Sequence, residues 1–191
     1  MRLFVGIEIS QAVVAATLDL VAQLQAACSA LAPRARLTWV TAERLHITIR
    51  FIGHVDDARV DQMRAVLEPP LTLDRFDLTI AGVGTFPPKG PPRVVWAGLA
   101  GGRDQLLALE SKVSERLAGA GVPREERPFN PHLTLARVRD AAGLRSAPFV
   151  GSLRDISLGT TSVDAITLFE SRLSPKGPTY AALARTPLVG N

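Results

Sequence analysis

Apolar positions along the chain change their period several times, and each change marks an element. Residues 2–9 are a short apolar run with β-branched members, which predicts a strand. Ser10 stands where it can cap a following helix. In that helix Val14, Leu18, Val21, Cys28 and Leu31 recur at helical spacing, and Pro33 comes just after. Residues 37–41 read as a short strand and 45–52 as a longer alternating one, broken at Gly53. Asp56 or Asp57 opens a second helix, which carries Val60, Met63 and Leu67 and stops before Pro69-Pro70. Residues 76–86 predict a strand, and Pro87–Pro92 is a loop by composition.

The second half repeats the plan. Arg93–Leu99 predicts a strand, and the helix after it carries Leu106, Leu109, Val113 and Leu117 and ends at Gly119 and Gly121. Arg127-Pro128-Phe129-Asn130-Pro131 leads into another alternating strand, His132–Val138. Residues 154–159, 163–172 and 179–186 predict further strands, while 139–155 carry no clear pattern. Strand–helix–loop–strand therefore occurs twice, at a period too long for a solenoid. The expectation is one bilobal domain over 1–191, its two halves related by a pseudo-two-fold, with no free linker between them.

Two of the three histidines open near-identical strands: His46-Ile47-Thr48-Ile49-Arg50-Phe51 and His132-Leu133-Thr134-Leu135-Ala136-Arg137. Alternation puts His46 and Thr48 on one face of their strand and Ile47 and Ile49 on the other, and does the same for the second copy. One His-x-Thr strand is commonplace. Two, at matching places in matching halves, converge on one cleft if the lobes face each other. Paired imidazoles suit acid–base work near neutrality: a neutral one accepts a proton from an attacking hydroxyl and a protonated one donates to a leaving oxygen. The two Thr hydroxyls are then donors for a phosphate held between them. The third histidine, His54, has no twin and reads as a loop residue.

Composition narrows the picture. The 191 residues are 47% hydrophobic and 21% charged, a globular balance. A single cysteine, Cys28, excludes a disulfide framework and a multi-cysteine zinc site within the chain. No His-Glu-x-x-His occurs, and the two site strands bring no Asp, Glu or Cys beside their histidines, so no metal is expected. Arginine dominates the 22 basic residues, lysine standing only at Lys89, Lys112 and Lys176, and the net charge is +4. Codon bias or phosphate recognition by guanidinium forks explains that preference. The sequence shows no uninterrupted apolar run of membrane-span length and no signal-like opening, so a cytoplasmic protein with no membrane partner is expected.

The doubled His-x-Thr-x motif resembles the 2H phosphoesterases, and nearly the whole chain resembles one branch of them, the RNA 2′,3′-cyclic phosphodiesterases, also called 2′-5′ RNA ligases. The resemblance runs through Arg2–Glu8, Leu45–Gly53, Phe86-Pro87, Arg93–Gly98, Arg127–Arg137 and Leu168–Ser171. It implies an α+β fold of two lobes, with antiparallel sheets lining a central cleft and helices outside. It implies hydrolysis of an RNA 2′,3′-cyclic phosphate end to a 2′-phosphate, without metal or ATP, and the related joining of RNA ends through a 2′-5′ linkage. His46 and His132 are the implied catalytic pair, with His132 preferred as base and His46 as acid although the pseudo-symmetry leaves the choice open. Thr48, Thr134 and Arg137 are implied phosphate ligands, and Phe51, at the position matching Arg137, is a candidate platform for the terminal base. Strict alternation puts Phe51 and Arg137 away from the histidines unless a bulge turns them back. Arg50 shares the parity of His46 and reads as a rim residue within reach of phosphate, and Lys89 and Arg93 flank the Pro-rich loop where they could guide RNA. Nothing demands more than a monomer. Two other readings stay open: a non-catalytic RNA-end binding module, and a 2H enzyme acting on a nucleotide metabolite.

Overall fold

The computed structural model describes residues 1–174 and 177–190. Strand β1 (Arg2–Glu8) leads into helix α1 (Gln11–Leu31), where the Ser10 side chain accepts from the Val13 amide as expected of an N-cap. Then come β2 (Arg36–Trp39), β3 (His46–His54) and α2 (Asp57–Leu67), the last capped by Asp56 through the Arg59 amide. A two-residue strand, β4 (Leu71–Thr72), precedes β5 (Phe76–Phe86) and β6 (Val94–Gly101). Helix α3 (Arg103–Gly119) is followed by β7 (Leu133–Asp140), a short α4 (Ser146–Val150), β8 (Ser157–Val163), β9 (Ala165–Arg172) and β10 (Thr179–Val189).

Strand order explains the two lobes. The sheet runs β4-β10-β9-β1-β3-β7-β6-β5-β8, with β2 added on β7. All pairs are antiparallel except β4 with β10. β3 and β7 share only the pair Ile47↔Leu133, so the two lobes of the sheet meet at a narrow seam. Outward from it the neighbours match: β1 with β6, β9 with β5, β10 with β8. The lobes are not the chain's two halves, because β5 joins the second lobe while β9 and β10 close the first. Helices cross over as well: α1 follows β1 but packs over β8, and α3 follows β6 but packs over β3.

One apolar core lies between sheet and helices. Leu3, Val5, Ile7, Ile47, Leu133 and Leu135 supply its sheet side, and Leu106, Leu109, Val113 and Leu117 of α3 meet them as their spacing predicts. Helix α1 differs from expectation. Its buried residues are Val13, Thr17, Leu20, Val21, Leu24 and Cys28, while Val14 and Leu18 are half-buried and Leu31 is exposed. Alanines on several sides leave this helix without a single sharp stripe, so tertiary contact chose the face. By length and composition α1 could also cross a membrane, but Asp19, Gln23 and Gln25 lie on its exposed side. β3 runs through Gly53 (φ 89°) to His54, which is exposed at the strand end rather than in a turn. The strand expected over 154–159 starts at Ser157.

Candidate active site

The seam is where the two motifs meet. Ile47 and Leu133 face each other with their side chains fully buried. By alternation His46, Thr48, His132 and Thr134 point to the opposite, open face, and all four are half-buried. Continuing the antiparallel register one residue either way sets His46 across from Thr134 and Thr48 across from His132. The two histidines are then diagonal neighbours, whose backbone positions stand about 7–8 Å apart in a regular antiparallel pair.

Both imidazoles are pinned the same way. His46 Nδ1 lies 2.8 Å from the Arg44 carbonyl, and His132 Nδ1 lies 2.8 Å from the Asn130 carbonyl. A carbonyl can only accept, so each Nδ1 carries the proton, and Nε2 is the lone-pair nitrogen in the neutral ring. The Thr48 hydroxyl donates to His46 Nε2 at 3.1 Å. Among the described residues no protein group bonds Nε2 of His132. Burial holds His46 well below the ordinary imidazole range, at about 4; the Arg44 carbonyl opposes this, and the charges of Arg137 and His132 add to it. His132 is lowered too, again by burial first and by Arg137.

Arg137 reaches this field because β7 carries a bulge. Val95 pairs with Ala136 and Trp96 with Thr134, so one extra residue sits on β7 between them. Leu135 and Ala136 are both buried, and Arg137 returns to the open face. β3 has the same device: Gly6 pairs with Thr48 and Val5 with Arg50, Ile49 and Arg50 are both buried, and Phe51 emerges 55% exposed. Phe51 and Arg137 are thus equivalent positions on the open side. The same bulge corrects the reading of Arg50. It is not a rim residue near phosphate but is 6% exposed, and its guanidinium donates to the Pro123 carbonyl. Lys89 and Arg93 are exposed by the Pro-rich loop.

Sequence reasoning missed an aromatic lining. The rings of Phe4 and Tyr180 lie 4.8 and 4.9 Å from the His46 ring, Tyr180 edge-on. Phe169 stacks on Phe4 at 5.1 Å, and Phe51 is 6.0 Å from Phe4. On the other lobe Phe86 meets His132 edge-on at 5.2 Å and Trp96 at 5.2 Å. Tyr180 is the chain's one tyrosine, the only signal that could have drawn notice. Beside His46 a pocket of about 170 Å³ is bordered by Glu8, Gln11, Glu43, Phe169 and Tyr180. Among the described residues no group of three or more His, Cys, Asp or Glu is placed to hold a metal ion.

A family model described as the 2′-5′ RNA ligase superfamily matches residues 13–174. The chain belongs to the 2′-5′ RNA ligase superfamily. An Aeropyrum pernix superfamily relative named RNA 2′,3′-cyclic phosphodiesterase is 34% identical over 145 residues, 75% of this chain and 82% of its own length. One of the same name from Archaeoglobus fulgidus is 32% identical over 183 residues, 96% of this chain and 98% of its own. A crystal structure of the Thermus thermophilus protein TT0787 superposes with a TM-score of 0.73 at 26% identity, covering 100% of this chain and 99% of that one. The fold is therefore that of this superfamily, an α+β arrangement in which the two lobes of one sheet meet at the paired histidines.

Proposed function

We propose that this chain is an RNA 2′,3′-cyclic phosphodiesterase, the name its relatives carry, and that it opens the cyclic end to a 2′-phosphate. The observation that carries the reading is the pair of imidazoles on equivalent strands, each fixed through Nδ1 so that both Nε2 atoms serve the open face. In the free protein burial keeps both rings neutral at pH 7. A bound phosphodiester brings the negative charge that favours a proton on one of them. Protonated at Nε2, His46 no longer accepts from Thr48, whose hydroxyl turns to a non-bridging oxygen alongside Thr134. Arg137 balances the phosphate charge, and Phe51 offers a face to the terminal base.

His132 is assigned as base because, among the described residues, its Nε2 lone pair has no protein partner to displace. It takes the proton of water as the water oxygen bonds to phosphorus. The P–O3′ bond breaks, and O3′ takes the Nε2 proton of His46. The products are a 3′-hydroxyl and a 2′-phosphate, and proton exchange with solvent restores the pair. A 5′-hydroxyl in place of water gives a 2′-5′ linkage by the same steps. All of these groups come from one chain, so a monomer suffices, and we take the cytoplasm as its compartment.

The test is a short RNA with a 2′,3′-cyclic end, purified protein and excess EDTA. Conversion to a 2′-phosphate end is expected, falling about 10²–10⁴-fold in His46→Ala or His132→Ala. A cyclic end with sulfur at the 3′ position, a better leaving group, is expected to restore turnover to His46→Ala and not to His132→Ala; the reverse pattern would exchange the two roles. Tight binding without conversion would leave an RNA-end binding module, and activity only with added divalent metal would overturn the paired-histidine mechanism.

A further inference from the structure

Beyond the histidines, β7 continues as a basic lane. Arg137 pairs across to Thr38 of β2, and Arg139 Nε donates to the Thr38 hydroxyl at 3.4 Å. Leu37, Trp39 and Val138 pack on the core, so Thr38 and Arg137 share the open face with His132 and Thr134. Arg139 is the extra residue of a second bulge, between the pairs Val138↔Leu37 and Asp140↔Arg36, and its bond to Thr38 keeps it on that face. The one acidic residue of these two strands, Asp140, is met by Arg36 Nη2 at 3.5 Å, which offsets its charge. Arg139 is exposed and has no carboxylate partner among the described residues. Two residues of regular strand advance about 6.6 Å and the bulge shortens this somewhat, which is still the order of the step between successive phosphates of a single strand.

We infer that the RNA strand entering the site lies along β7 and β2, with the phosphate next to the cyclic end held by Arg139. The substrate class is then an oligonucleotide end rather than a cyclic mononucleotide. This rests on the phosphodiesterase reading. Arg137 serves the reacting phosphate, and the charge that follows it is left for the strand, since among the described residues Arg139's one bond is to a neutral hydroxyl near the upper length limit.

The experiment compares kcat/KM for a cyclic mononucleotide and for a four-nucleotide RNA with the same cyclic end, across a salt series. The RNA is expected to be the better substrate, and Arg139→Ala to lower its kcat/KM about fivefold, the worth of one exposed charge pair. The slope of log kcat/KM against log salt is expected to flatten by about 0.7, one single-strand phosphate contact. The mononucleotide is expected to be unaffected, and Arg139→Lys to keep most of the RNA rate. Equal loss on both substrates, or no preference for the RNA in the parent protein, would overturn the inference while leaving the phosphodiesterase reading intact. Hydrolysis of neither substrate would overturn that reading, and the inference with it.

Discussion

Between the two imidazoles the difference is one of surroundings more than of attachment. Each hangs on a carbonyl two residues earlier, but His46 is wedged between Phe4 and Tyr180 and is bonded to Thr48. That wedge has a consequence for stability. Folding lowers the pKa of His46 from an unfolded value near 6.5 to about 4, so the unfolded chain binds the proton more tightly. The associated stability is complete above pH 6.5 and is lost as the pH falls toward 4, on the order of 3 kcal/mol in all. His46→Gln removes this titration. Its unfolding free energy, from urea curves at pH 6.5 and 4.5, is expected to fall less on acidification than that of the parent; equal falls would mean that His46 titrates alike in both states. The residue types of the site were legible from the doubled motif. Arg50 was misread because parity alone cannot show a bulge, and nothing in Ile49-Arg50 signals one.

Elements position these side chains through close backbone approaches. The Trp96 indole lies against Gly84 of the neighbouring strand, where a Cβ would overlap the ring, and a Cβ on Gly98 would stand 3.2 Å from it. Trp96 pairs with Thr134, and Phe86 bridges from Trp96 to His132. β5 and β6 are thus the wall that orients the second histidine. Gly84→Ala should push the indole off this seat, at a cost of about 1–3 kcal/mol from overpacking, and should lower kcat through the displaced wall. A thermal melt and a turnover assay check both, and an unchanged Tm with unchanged kcat would show that the wall yields freely. Helices α2 and α3 were readable because their apolar spacing is sharp. Helix α1 was found by its cap and its stop, but its buried face was not, since small side chains let several faces pack.

At the scale of the molecule, the sequence by itself determined the repeat, most of the strands and helices, and the pairing of His46 with His132. These are local properties: alternation, caps, breakers and a motif written twice. The same local rules gave Thr48 and Thr134 their common face with the histidines. Tertiary structure alone decided that β5 crosses into the second lobe and that β9 and β10 close the first, because strand neighbours are chosen by long-range pairing that no spacing encodes. It also decided the single Ile47↔Leu133 seam, the two bulges that bring Arg137 and Phe51 round, and the arrival of Tyr180 beside His46. Each of these depends on how two distant segments fit, and burial against a partner is settled only once that partner is in place.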